Sequence, residues 1–210
     1  MQAWLPLFPL HVVLLPDAEL PLHIFEDRYK EMIAEVMRDK IEFGIVLAGE
    51  KGIVNTGCTA VVERVLREYP DGRLDILTLG RRRFEILDLN DERSYLRGAV
   101  QYFDDEDDES APAGDFRARA IRGYNEWRAL TSDPPLSAAD AREPQLSFRL
   151  ARAVEDLEIR QVLLAARSEA ERLRQLAEFF PAFLIRQRRI ERVKQVARRN
   201  GHGGKSPQTR

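Results

Sequence analysis

A single cysteine in 210 residues, Cys58, leaves no partner for an internal disulfide and no basis for a cysteine metal cluster. No apolar run approaches the ~18 to 20 residues that would span a bilayer. The first sixteen residues are apolar, but Pro6, Pro9 and Pro16 break them. They have no basic leader region and no small-residue cleavage site, so they do not read as a signal peptide. The histidines are His11, His23 and His202, and none has a second ligand at a recognised metal spacing. No Gly-x-Ser-x-Gly elbow occurs. The tail Gly201-His-Gly-Gly-Lys-Ser206 fails as a phosphate loop, because Arg199 stands where a glycine is needed and only four residues follow. These absences lead us to expect a cytoplasmic protein with no membrane partner, no cofactor, no metal site and no catalytic residue. Cys58, between Gly57 and Thr59, is expected to be a small buried hydrophobe, and His11 and His23 ordinary packed or hydrogen-bonded histidines.

Charge is present in both signs but unevenly. Formal net charge is −2, yet residues 1–110 carry 23 acids and 13 bases, while residues 111–210 carry 12 acids and 20 bases. Such a split suggests two lobes with different surfaces and keeps nucleic acid open as a partner of the basic half. The division expected is a β-rich lobe over 1–110, a helical lobe over 111–199 and a flexible tail over 200–210. The six acids of Asp104 to Glu109 are read as a solvated linker at 104–110.

The first half carries strand signals. Phe43 to Ala48 is a short apolar run, and Thr59 to Tyr69 is β-branched and ends at the turn Pro70-Asp71-Gly72. Arg73 to Leu79 resumes an extended pattern, so the pair reads as a hairpin. Phe84 to Leu89 and Tyr95 to Phe103 continue the series, with Gly57, Gly80 and Gly98 where a strand can bend. One helix interrupts, with an apolar stripe of Phe25, Tyr29, Met32, Ile33, Val36 and Met37. The second half turns helical. Phe116, Ala120, Tyr124 and Trp127 mark one helix, ending near Pro134. Leu146, Leu150, Val154 and Leu157 mark a second, and Ile159 to Ala166 a third. Ser168 and Glu171 form a capping box opening a fourth, which Pro181 either kinks or restarts. The fold class expected is α+β, a small twisted β-barrel lobe with one packed helix followed by an α-helical bundle.

Three segments carry a resemblance. Leu5-Pro-Leu-Phe-Pro-Leu10, Val13-Leu-Leu-Pro16 and Leu20-Pro-Leu-His-Ile-Phe-Glu-Asp-Arg-Tyr29 resemble the opening of a Lon protease N-terminal domain. Phe43-Gly-Ile-Val46, Gly57-Cys-Thr-Ala60, Gly80 with Arg83-Phe84, Gln161-Val-Leu-Leu164 and Arg172-Leu173 continue the likeness over about residues 4–180. The resemblance implies a PUA-like barrel lobe, a helical lobe and a role in recognising unfolded polypeptides. It also implies association with proteolysis, without the ATPase and Ser-Lys protease parts that follow this region in full-length Lon. From it we expect a non-catalytic module binding unfolded or flexible polypeptide in a groove between the lobes, with a protease or other protein as a further partner. Candidate polypeptide contacts in the motif segments are Glu26, Arg28, Tyr29 and Arg83, each with a structural alternative: Tyr29 packs, and Glu26 with Arg28 or Arg83 pins the helix to the barrel. The main rival is an RNA-binding barrel using the basic last helix, Arg186 to Arg199. The acidic first half and the lack of RRM or KH signatures weigh against it.

Overall fold

The computed structural model describes residues 4–50, 52–106 and 115–200, with the backbone alone for residues 195 and 197–200. Residues 107–110 of the acidic run and 201–210 of the tail lie outside it, and so does the phosphate-loop look-alike.

Six strands and five α-helices follow in order: β1 (Leu5–Leu10), β2 (Glu19–Ile24), α1 (Asp27–Asp39), β3 (Phe43–Gly49), β4 (Gly52–Glu68), β5 (Leu74–Asn90), β6 (Arg97–Tyr102), α2 (Phe116–Leu130), α3 (Leu146–Ala151), α4 (Leu157–Ala165) and α5 (Glu169–Asn200). The sheet order is β2-β5-β4-β3-β1-β6, and β5 also pairs with β6. That last ladder bends the sheet into a ring of five strands with β2 outside it, a partly closed barrel. All pairings are antiparallel except β1 with β3, whose parallel match of Leu7 to Gly44 needs the crossover that β2 and α1 supply. The expected hairpin is present: β4 and β5 meet across Pro70-Asp71-Gly72, with Gly72 in the left-handed region at φ 81°.

Alternation divides the apolar residues between two faces. Leu5, Leu7, Val46 and Phe84 fill the inside of the ring. Phe43, Ile45, Cys58, Ala60 and Ile76 face the other way, toward α1 and the helices. The ring interior is small, and Phe84 fits because Gly44 and Gly57 lack side chains. A Cβ on Gly44 would stand 2.6 Å from the Phe84 ring, and one on Gly57 2.5 Å from it.

Helix α1 follows the expected stripe at its centre only. Tyr29, Met32, Ile33 and Val36 are buried, but Phe25 precedes the helix and is 58% exposed, and Met37 is 38% exposed. Both lie off the arc that meets the sheet. Asp27 and Arg38 stand in its first and last turns, matching the macrodipole. Two other expectations need correction. The strands read as 73–79 and 84–89 are one strand, β5. Leu146 to Leu157 is not one helix: α3 stops at Ala151, and Asp156 caps α4 by accepting the Glu158 and Ile159 amides. Of the two alternatives for Pro181, a new helix does not start there; α5 runs through it from Glu169 to Asn200. Ser168 does stand where expected, its Oγ accepting the Glu171 amide at 3.4 Å.

One buried cluster runs from Phe8, Leu15 and Ile24 through α1 to Leu146, Leu150, Leu163, Leu176 and Phe183. Helices α2 and α5 pack closely, with Gly123 against Phe180, and strands and helices share this core. Each large side chain in it contributes roughly 1.5–3 kcal/mol on removal from water.

Candidate functional site

The four expected contact residues fall into two groups. Glu26, Arg28 and Tyr29 lie together where β2 runs into α1. Arg28 donates to Glu26 Oε2 (Nε 2.9 Å, Nη2 2.7 Å), and both side chains are about half exposed. The Arg28 guanidinium lies 4.6 Å from the Tyr29 ring centre. Tyr29 itself is buried, stacked on Phe8 at 4.0 Å, and burial raises its phenol pKa. Arg83 shares no partner with them among the described residues. It is 4% exposed on β5, and its guanidinium reaches across to the helices.

There it meets a network that binds strands to helices. Arg83 donates to Ala166 O (2.5 Å), Leu164 O (3.3 Å) and Asp105 Oδ1 (2.7 Å). Arg172, fully buried on α5, donates to both Asp105 oxygens at 2.6 Å, to Ala166 O, to Ser147 Oγ and to Glu169 Oε2. Phe148 lies beneath both guanidiniums and Phe103 beneath Arg83. Burial pushes the Asp105 carboxyl up, but the hydrogen bonds and charges of Arg172 and Arg83 hold it below its ordinary value. Burial raises Glu169, against the bonds from Ser147 and Arg172. Arg83 is lowered by burial and by the neighbouring Arg172 charge. Beside this network, Gln161 donates to Thr56 O at 2.9 Å and Arg167 to Glu85 Oε1 at 2.8 Å.

Asp105 is the residue that the sequence pattern concealed. The acidic run reads as solvated linker, yet Asp105 is the shared anion of two buried arginines, and the Glu106 amide is bonded to Arg167 O. The signal was its place two residues after the buried Phe103, at the end of the last strand.

Cys58 is buried as expected, and desolvation pushes its thiol up to about 12, which removes it as a nucleophile at neutral pH. His11 and His23 are hydrogen-bonded, to Ala48 O and to Asp75 Oδ1, but exposed rather than sunk in apolar surroundings. Among the described residues, no group of three or more His, Cys, Asp or Glu could hold a metal ion, and no helix is long and apolar enough to cross a membrane.

An apolar groove lies away from this network, at the C-terminal end of α1, and shares no residue with it. Val36, Met37, Lys40 and Ile41 form one wall and Val61 to Val65 of β4 the other, around about 390 Å³. Strand β3 stops pairing with β4 at Ala60, so residues 61–68 are bonded to β5 alone and keep one edge open among the described residues. Bulges after Val62 and after Val65 twist that edge.

A six-stranded, partly closed sheet tied by buried arginines to a group of helices, with an apolar groove beside an open strand, makes an α+β fold. The chain belongs to the family of the ATP-dependent protease La (LON) substrate-binding domain, whose model matches residues 4–180. The match is to the substrate-binding part of Lon, not to its catalytic parts. The chain is 32% identical over 110 residues to a Lon protease of Parabacteroides distasonis, covering 48% of this chain and 13% of that protein. It is 36% identical over 99 residues to Lon protease 1 of Hydrogenovibrio crunogenus, covering 43% and 12%. It therefore aligns with about an eighth of the length of these relatives. Among solved structures, the Lon N-terminal domain protein from Xanthomonas campestris matches with a TM-score of 0.65 and 28% identity, over 85% of this chain and 99% of that one. The N-terminal domain of the Mycobacterium avium complex Lon protease matches with a TM-score of 0.62 over 85% and 98%; at 15% identity this likeness speaks for the fold alone.

Proposed function

We propose that this chain recognises extended, apolar stretches of flexible polypeptide at the open edge of β4 beside α1. The single observation that carries the reading is an apolar groove running along a strand edge whose backbone groups have no strand partner among the described residues. An incoming segment adds a strand there, with main-chain bonds giving affinity and alternate side chains entering the groove. The two bulges shorten the stretch that can pair, so apolar contact with Val36, Met37, Ile41, Val62 and Val65 carries most of the binding. Membership of a family described as substrate-binding supports this reading. The shared core and the arginine network occupy the junction of sheet and helices, which favours the α1–β4 side over a groove between lobes.

The open stretch of β4 runs alongside α1 in the opposite direction: its start, at Val61, shares the groove with Lys40, and the turn after it reaches Lys30, whose Nζ donates to Asp71 O. An eight-residue extended segment, roughly 27 Å long, spans from Lys40 toward the first turn of α1. Glu26 and Arg28 act there as polar contacts in this reading, with Tyr29 holding Arg28 in place. Arg83 acts by fixing the helices, not by touching the bound chain. The partner that receives the bound segment is a protease.

The test is fluorescence anisotropy of a labelled unfolded polypeptide, and of a labelled single-stranded RNA, each across a salt series. Saturable polypeptide binding that survives physiological salt is expected. Met37→Glu and Val62→Glu should each weaken it about tenfold or more, since each places a charge on desolvated apolar surface. Arg28→Ala should weaken it less. Unchanged affinity in the two glutamate variants, with circular dichroism intact, would remove the groove from consideration. Tight RNA binding with a steep salt slope and no polypeptide binding would transfer the function to the basic last helix.

A further inference from the structure

A second pocket, of about 460 Å³, opens between the β1–β2 turn and the helices, lined by Asp17, Ala18, Glu19, Leu79, Arg152 and Arg160. The sequence gives no hint of it, because its two arginines stand on different helical segments and its floor comes from the sheet. Arg160 is in the first turn of α4, half-buried, and its Nε is shielded from solvent with no hydrogen-bond partner among the described residues. Arg152, just beyond α3, spends one Nη2 on Asp17 O at 2.5 Å. That carbonyl is fixed: Asp17 is held in the left-handed region at φ 55°, its amide bonded to Gly80 O at 3.0 Å. Asp17 and Glu19 line the same pocket, yet among the described residues no carboxylate lies within ion-pair distance of Arg152 or Arg160. The charges around Arg160 tell the same story: burial lowers its pKa first, and the charge that lowers it further is Arg152.

A half-buried guanidinium with no ion-pair partner among the described residues, lining one pocket with a second guanidinium, is an unfavourable arrangement when empty and a favourable one around an anion. We propose that this pocket binds a single carboxylate, gripped between Arg160 and Arg152, with its apolar body against Ala18 and Leu79. The fork geometry of guanidinium suits a planar carboxylate, and the rim acids Asp17 and Glu19 disfavour a dianion such as phosphate. The inference goes beyond polypeptide recognition at β4 and does not depend on it, since the two places share no residue. The carboxylate has two sources, a free small acid or the end of a polypeptide chain.

The experiment is titration of the full chain with N-acetyl-leucine, with N-acetyl-leucinamide and with inorganic phosphate, followed by calorimetry and by the arginine Nε–H resonances. Saturable binding of the acid is expected, with the Arg160 signal shifting and with the amide and phosphate at least about tenfold weaker, as the loss of charge-assisted bonds requires. Arg160→Gln should lose the acid by a similar factor while melting no lower than the parent, because it removes an unpaired charge. Arg160→Lys, which keeps the charge without the fork, should fall between them. A ten-residue peptide ending in leucine, as acid and as amide, separates the sources: the acid peptide exceeding N-acetyl-leucine points to a chain end, and equality to a small acid. Equal binding of acid and amide, phosphate binding as tightly as the acid, no saturation at millimolar acid, or undiminished binding by Arg160→Gln would each overturn the proposal. None of these outcomes touches the Met37→Glu and Val62→Glu result, so the two readings fail separately.

Discussion

Asp105 is the anion on which two buried guanidiniums depend, and removing it leaves both without their closest counter-charge. Asp105→Asn should therefore lower unfolding free energy by about 3 kcal/mol, the usual scale for breaking a buried pair, readable by urea denaturation. The pH profile carries the same information. The folded chain binds fewer protons at Asp105 than the unfolded chain does, because its carboxyl sits below the ordinary value. Stability from this residue is complete above that ordinary value and is lost as pH falls through the depressed one. Glu169 has the opposite sign. Its raised carboxyl keeps a proton that the unfolded chain has released, so stability declines as pH climbs from the ordinary glutamate value to the raised one. Asp105→Asn should flatten the acid limb of a urea-midpoint profile, and Glu169→Gln should remove the decline above it. An acid limb in Asp105→Asn as steep as the parent's would show that other carboxylates govern acid unfolding. Arg83 and Arg172 were legible because they fall in the motif segments. Asp105 was not, since its burial is decided by arginines 22 and 67 residues away and five neighbouring acids mask it.

At the level of strands and helices, sequence was readable wherever one face of an element meets the core. The hairpin of β4 and β5, the centre of α1 and the helix α2 all carry such periods. Strand β1 did not, because Pro6 and Pro9 read as breakers. Pro6 pairs near the edge with Arg97, and Pro9 lies opposite Val46 on β3. Helix α5 left two alternatives at Pro181, and the helix continues: a proline removes one backbone bond, and packing of Phe180, Phe183 and Leu184 outweighs that loss. The apolar residues of 146–157 share a core without sharing a helix, which periodicity cannot distinguish. The ring interior yields a prediction at this level. Gly44→Ala should destabilise by roughly 1–3 kcal/mol through overpacking, and adding Phe84→Leu should restore part of it, because the closest atom to the new Cβ is the Phe84 ring. Strictly additive losses in a double-mutant cycle would place the strain elsewhere.

Across the whole molecule, the expected fold class agrees with the structure, but the expected division into a β half and a helical half has a cost that composition does not show. The main buried cluster includes Phe8, Ile24 and Phe43 on one side and Leu146, Leu163 and Phe180 on the other. A fragment ending at residue 110 would bare that face and lose Arg172. We expect such a fragment to be aggregated or molten, and the full chain to unfold in one transition by both near- and far-ultraviolet dichroism. A sharply folding fragment, or two separated transitions, would show that the sheet stands alone. The ring also sets a timetable. Strand β1 is synthesised before the other strands of the ring, but its partners are β3 and β6, and β6 ends at Tyr102. Until then β1 has β3 on one side but its other edge is unpaired, the ring stays open, and the helices that cover the sheet arrive later still. During its own synthesis, this module is the kind of exposed, flexible chain that it is proposed to recognise.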